Sequence, residues 1–275
     1  MRSWQYYDAR AGKLSDGSTA VIGGLQDNGT AVASTATSQM VEPAGGDGFD
    51  VIVDPANASN WVGEYTGGRY VWVSTKGWAT SCTATACDWT RAFDTGAGHA
   101  VTALTSANSG SLVYAAWVAG GNPGPSFASG IATNYGGTWH QVSTTGLPNR
   151  YIAGVTVDPA NPAHVYAIFN GYSRRFVPGG GVGHVFETFN GGQSWTDISG
   201  NLPDIASDAL VLDHGKLALA TDAGVFTARE GESAGTFWFR LGAGLPNASV
   251  NDLTTGPGDY IYAATHGRGV WRIRL

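Results

Sequence analysis

Charge is scarce in this chain: Asp, Glu, Lys and Arg make up 13% of its 275 residues, about half of the ~25% usual for soluble domains. The formal net charge of −6 and the scattered arginines leave no basic footprint, which argues against nucleic acid as a partner. Long apolar runs are also missing. Nothing approaches the ~18 consecutive residues of a membrane-spanning helix, and Met1–Gln5 leads into polar sequence without the apolar core of a signal peptide. The chain is therefore expected to be soluble, with any export signal removed or lying upstream. Cysteine is limited to Cys82 and Cys87, with four residues between them. With no second pair and no nearby histidine, zinc is not expected, and the spacing suits a hairpin loop closed by a disulfide. Such a bridge implies an oxidising compartment, extracellular or periplasmic. The six histidines, at 99, 140, 164, 184, 214 and 266, show no metal-ligand spacing, and no Gly-x-Ser-x-Gly elbow supports a serine hydrolase. No cofactor is expected, although a loop rich in Asp and backbone carbonyls leaves room for a structural calcium.

What the chain has in quantity is glycine, 41 residues, with Ser, Thr and Asn crowded between short apolar runs. That is the composition of many short strands joined by tight turns. A unit recurs in which a small or hydroxyl residue precedes an Asn- and Gly-rich turn, then a Trp and a strand, as in Ala132–Trp139 and Thr188–Trp195. Related strand starts at Trp89, Trp139, Trp195 and Trp238 are separated by 50, 56 and 43 residues, about the length of a four-stranded propeller blade. Turns at Gly146-Leu147-Pro148, Asn201-Leu202-Pro203 and Gly244-Leu245-Pro246 follow the last three markers. Strands ending in Asp-Pro (Val155–Pro159, Val51–Pro55) come next. Six runs rich in small residues, at Ala20–Gly24, Trp61–Tyr65, Leu112–Ala116, Val165–Phe169, Leu217–Ala220 and Tyr260–Ala264, read as inner strands crowding a central axis. The fold expected is all-β, one propeller domain over residues 1–275, with six blades of four antiparallel strands and no substantial helix.

The chain stops before a marker Trp is due after Trp238, whereas Ser3–Tyr7 carries the missing pattern at the opposite end. Ring closure, with residues 3–7 completing a last blade at 250–275, accounts for both observations and removes exposed edges. The competing arrangement makes Gln5–Ala9 the first strand of blade one, leaves the last blade with three strands, and suits a fragment of a larger protein.

The two best units resemble the Asp-box, Ser/Thr-x-Asp-x-Gly-x-Thr/Ser-Trp, of the sialidase-like propeller superfamily (BNR repeats), with Asn134 and Asn190 in place of the aspartate. The resemblance implies a propeller with the boxes on its outer rim as structural pins. Gly23–Thr30, Gly45–Phe49 and Tyr262–Trp271 are further similar to bacterial secreted repeat proteins and to xyloglucanase-type glycoside hydrolases. The Phe/Tyr-Arg-Ile-Pro signature of sialidases is absent, which argues against that activity.

Propeller loops between second and third strands, and between blades, emerge on one face. This places Gln26, Asp27, Asn28, Asp47, Asp50, Tyr172, Arg174, Arg175, Asp222, His266 and Arg268 on or near one rim. In so uncharged a chain this clustering is the main functional clue. Two functions follow from different classes. The favoured one is a secreted binding module that holds a polysaccharide, a glycan or a protein partner through Gln26, Asn28, Tyr172, Arg174, Asp222, His266 and Arg268. The other is a hydrolase of β-glucan- or xyloglucan-type polysaccharides with Asp27 and Asp47 as paired carboxylates. Each of these residues also has an ordinary turn or packing role, since Asp27–Gly29 and Gly46–Gly48 are standard tight-turn sequences. Trp72, Trp78 and Trp117 lie outside the marker positions and suit either sugar stacking or burial.

Overall fold

The structure, a computed structural model, describes residues 6–14, 16–25, 29–34, 40–44, 46–54, 57–77, 86–107, 110–120, 126–172, 183–231, 235–256 and 259–274. These form six antiparallel sheets and, among the described residues, no α-helix. The first sheet contains β1 (Tyr6–Lys13), β2 (Thr19–Leu25), β3 (Gly29–Ser34) and β4 (Met40–Ala44), and the second β5 (Gly48–Val53), β6 (Trp61–Tyr65), β7 (Tyr70–Ser74) and β8 (Thr90–Asp94). The third contains β9 (His99–Ala107), β10 (Leu112–Ala119), β11 (Ala128–Thr133) and β12 (His140–Gln141). The fourth is built from β13 (Ile152–Asp158), β14 (Asn161–Phe169), β15 (Val185–Thr188) and β16 (Thr196–Asp197). The fifth contains β17 (Ser207–Asp213), β18 (Lys216–Thr221), β19 (Gly224–Arg229) and β20 (Phe239–Leu241), and the sixth β21 (Val250–Gly256), β22 (Tyr260–Thr265) and β23 (Gly269–Arg274). Within every sheet the strands follow sequence order, and the chain is a six-bladed β-propeller. It divides into two compact units, Met1–Ala119 with Ala132–Gln141, and Gly120–Ile131 with Val142–Leu275.

The six runs read as inner strands are the second strands of their sheets: β2, β6, β10, β14, β18 and β22. Within each unit it is the first strands, β1 with β5 and β13 with β17 and β21, through which neighbouring sheets approach. The small residues therefore have a different cause from the one expected. A second strand has sheet on both sides and a packed neighbour on both faces, so β18 buries five consecutive residues, Leu217–Thr221, and reads as a continuous apolar run instead of an alternation. The cores are local: Tyr166, Ile168, Ile198, Leu210, Leu219 and Trp238 form one in the second unit, and Val32, Val51, Val53, Trp61 and Trp89 one in the first.

Each marker Trp stands at the start of a fourth strand. The turn before Trp195 shows why Asn serves there. Asn190 Oδ1 accepts from the Gln193 and Ser194 amides (3.0 and 3.1 Å) and from Thr188 Oγ1 (2.7 Å), while Asn190 Nδ2 donates to Ser194 Oγ (2.9 Å). Trp195 is buried, and its indole N–H donates to the Ser143 carbonyl (3.0 Å). These bonds pin the turn to the strand that follows it. Replacing Asn190 with Ala removes that acceptor and is expected to cost about 2 kcal/mol, read as a lower urea midpoint with unchanged slope.

At the termini, Tyr6 pairs with Leu25 in β1, so residues 6 and 7 belong to the first sheet and not to the last; residues 3–5 lie outside the described residues. The sixth sheet has three described strands. Cys82 lies outside the described residues, so its pairing with Cys87 is not described.

Candidate functional site

The connections between second and third strands, and those between sheets, carry the polar residues singled out from the sequence, except Asp50, which lies within β5. Gln26, Asp27, Asn28, Arg174 and Arg175 lie outside the described residues, as does Trp78.

In the second unit these connections build a continuous polar array. Asn170 Nδ2, just after β14, donates to Asp208 Oδ1 at the start of β17. Asp208 is pushed up to about 6, chiefly by burial and further by the negative charge of Asp222, against the opposing Asn170 bond. Asp222, in the turn between β18 and β19, accepts from Ser249 Oγ (2.8 Å), and the Ser249 carbonyl accepts from the His266 amide (2.9 Å). Asp222 and His266, expected at one rim, are thus joined through a residue the sequence did not suggest. Tyr172 stands two residues beyond Asn170 and is 44% exposed. Arg268 lies in the same β22–β23 turn as His266, where its carbonyl accepts from the Trp271 indole N–H (2.9 Å).

Beneath this array is a second group that sequence reasoning missed. Arg150, buried in the connection between β12 and β13, donates through Nη2 to the Gly183 carbonyl, and His184 Nε2 lies 3.0 Å from Asp204 Oδ1. Among the described residues Arg150 Nε and Nη1 have no partner. Burial lowers the pKa of Arg150 in spite of Asp204 and Asp197, and burial with the Arg150 charge holds His184 below the ordinary histidine range. A signal for part of this group was available. Asn149, Asp204 and Asn247 each directly follow a Leu-Pro turn, so a polar side chain recurs at one point in three copies.

In the first unit Asp47 lies on the connection into β5. Its carbonyl accepts from the Thr66 amide (3.0 Å), and Asp47 bridges to Gly29. There is no room for a Cβ at Gly24 or Gly48, which would collide with the backbones of Phe49 and Gly29. These two glycines let the start of β5 approach β2 and the start of β3. The Tyr65 ring leans over Gly46 and is 46% exposed. Trp117 and Trp72 are committed to the protein: Trp117 stacks on His99 (3.8 Å between centroids) and donates to Gln141 Oε1 (2.7 Å), and Trp72 stands edge-on to Tyr70 (5.7 Å).

Among the described residues of this unit, Asp50 and Glu64 are the carboxylates raised by their surroundings. Asp50 Oδ2 accepts from the Leu104 amide (2.6 Å), Asp8 Oδ2 from the Val51 amide (3.1 Å), and Glu64 Oε1 from the Asp50 amide (3.3 Å). Arg10 pairs with Asp8. Burial raises Asp50, and the Asp8 charge raises it further; burial alone pushes Glu64 up to about 8. These groups tie β1, β5, β6 and β9 together. The Asp8 and Asp50 carboxyl groups hydrogen-bond to each other, closer than the ~5 Å at which two carboxylates flank a glycosidic bond. A cavity of about 260 Å³ in the second unit is lined by apolar residues such as Val225, Leu241, Leu253 and Trp271, and holds none of the polar rim residues named above.

No protein-family model matches the chain, and no curated protein matches it. Solved structures do. The GH74 xyloglucanase from Xanthomonas campestris is similar at 14% identity and a TM-score of 0.57, over 92% of this chain and 41% of that one. PorZ, an essential bacterial surface component of the type-IX secretion system of Porphyromonas gingivalis, is similar at 17% identity and a TM-score of 0.56, over 98% of this chain and 40% of that one. YCF48, bound to D1 peptide, is similar at 12% identity and a TM-score of 0.61, over 94% of this chain and 76% of that one. The chain thus spans about two fifths of the xyloglucanase and PorZ chains. At these identities the likeness establishes the propeller fold. Among the described residues no helix is long and apolar enough to cross a membrane.

Proposed function

We propose that this propeller is an extracellular binding module whose loop-bearing face, in its second unit, holds a hydroxyl-rich glycan without turning it over. The array Asn170, Asp208, Asp222 and Ser249 carries the reading. It offers amide, carboxylate and hydroxyl groups side by side from three sheets, with the exposed ring of Tyr172 two residues from Asn170. Alternating donors and acceptors beside an aromatic face suit sugar hydroxyls and the apolar face of a pyranose. Asp208 and Asp222 are each occupied by a neighbour, which suits a fixed recognition surface better than an acid and base that must move protons. His266 and Arg268 extend the surface, and Arg174 belongs to the same proposal. The similarity to a bacterial surface component agrees with an extracellular setting.

The test is binding to an immobilised panel of plant and bacterial polysaccharides, followed by calorimetry on any that is retained. Asp222→Asn and Tyr172→Ala, both at exposed positions, are each expected to weaken binding at least tenfold, about 1.4 kcal/mol, with unchanged thermal unfolding. Retention of no glycan, or retention that both substitutions leave intact, would overturn the reading and turn attention to a protein partner.

The hydrolase reading keeps one specific support. The bridge from Asp47 to Gly29 joins it to the first residue of β3, two positions after Asp27 in the sequence. Release of reducing sugar that Asp27→Asn and Asp47→Asn both abolish would establish it in place of the binding module.

A further inference from the structure

The end of the second unit that carries the Asn190 turn holds an unusual group around His164, a residue 2% exposed at the buried part of β14. Its Nε2 lies 2.8 Å from Glu187 Oε1, on β15. Its Nδ1 faces two further carboxylates, Asp158 Oδ2 at 3.3 Å, at the end of β13, and Glu230 Oε1 at 3.4 Å, just after β19. Phe189 stacks on the imidazole at 4.2 Å and fixes its plane. The other oxygen of Asp158 accepts the Ala160 amide (2.8 Å), which turns Oδ2 toward the histidine.

Three carboxylates around one imidazole make an excess of negative charge, and among the described residues none of the three has a salt bridge to Lys or Arg. The Tyr166 phenol lies against the Glu187 carboxylate and brings no positive charge to the group. Glu187 and Tyr166 are at most 2% exposed. Burying this much negative charge costs several kcal/mol unless a cation offsets it.

We propose that Asp158, His164 and Glu230 form a site for one first-row divalent metal ion of the zinc class, with Glu187 as the carboxylate that orients His164. The three ligand atoms lie within 4.8 Å of one another. Zinc–ligand bonds of about 2.0–2.2 Å in a tetrahedron place donors roughly 3.4 Å apart, which is the spacing observed from Nδ1 to both carboxylate oxygens. Nε2–H donated to Glu187 leaves Nδ1 as the metal donor, the arrangement by which metal-bound histidines are usually held. A nitrogen donor disfavours calcium, which takes oxygen ligands. No metal-ligand spacing is visible along the chain because the ligands come from two sheets. Glu230 is the most exposed of the three ligands, with a side chain 25% exposed against 14% for Asp158, so the ion's open position faces the Glu230 side.

The experiment is zinc titration of chelator-treated protein against a chromophoric competitor, with Co²⁺ in parallel for its tetrahedral visible spectrum and Ca²⁺ as control. One equivalent of zinc is expected to bind and to raise the unfolding midpoint, and Co²⁺ to give the tetrahedral spectrum. Glu230→Gln, the substitution the fold tolerates best, is expected to weaken zinc at least tenfold. Glu187→Gln, which changes no ligand atom, is expected to weaken it 10- to 100-fold. No saturable 1:1 uptake, or uptake that neither Glu230→Gln nor Asp158→Asn reduces, would overturn the proposal.

Discussion

Glu64→Gln is expected to stabilise the chain at pH 8 by about 4 kcal/mol and to leave it nearly unchanged at pH 4.5. The folded carboxyl keeps its proton up to about 8 because burial penalises its charged form, whereas the unfolded chain releases it near the ordinary 4.5. Between these values the folded state binds the extra proton, so stability falls as pH rises through the window. Glutamine keeps an acceptor for the Asp50 amide, which Glu64 Oε1 now takes at 3.3 Å. Its amide nitrogen replaces Glu64 Oε2, an atom buried without a partner among the described residues. Asp50 is raised for the same reason, with the Asp8 charge adding to burial, and steepens the loss. Urea unfolding of both chains at pH 4.5, 6 and 8 checks this. Parallel pH profiles for the native chain and the variant would show that Glu64 ionises normally in the folded state.

Glu64 also shows what the sequence made legible and where it fell short. The run Trp61–Tyr65 reads plainly as a strand, and it is β6. A carboxylate inside so apolar a segment was visible there, yet strand periodicity says nothing of what stands opposite. Only the stacking of β5 against β1 and β9 puts Asp8, Asp50 and Glu64 together. Local pattern reached the blades, because each blade is contiguous in sequence and its turns carry their own Gly, Asn and Trp. It named Asp222 and His266, which meet at Ser249, because both stand in connections between second and third strands. It did not reach Arg150, Asp208 or the group at His164, whose partners come from different sheets. The reading of six inner strands erred for a related reason: small residues mark close approach, but they do not say whether it is to an axis or to flanking sheets.

Trp238→Ala is expected to cost about 4 kcal/mol, and Trp238→Phe about half that, whereas Trp89→Phe is expected to cost 1 kcal/mol or less. In sequence the two tryptophans occupy the same place in the repeat, and in the structure both open a fourth strand and are buried, at 2% and 8% exposure. Their polar ends differ. The Trp238 indole N–H donates to the Ile198 carbonyl (2.9 Å), and its backbone is clamped by Asn201, which accepts from the Trp238 amide (2.7 Å) and donates to the Trp238 carbonyl (3.0 Å). Phenylalanine there leaves the buried Ile198 carbonyl unpaired and a cavity beside Leu202 and Ala228, in the same core cluster. The Trp89 indole packs on Trp61 at 6.0 Å, and its N–H is buried without a partner among the described residues. Phenylalanine at 89 therefore removes an unsatisfied donor along with some packing, and the two effects oppose each other. Chemical denaturation of the three variants decides it. Equal losses at Trp89→Phe and Trp238→Phe would mean that packing volume alone sets the strength of the marker positions, and that the indole hydrogen bond adds nothing to it.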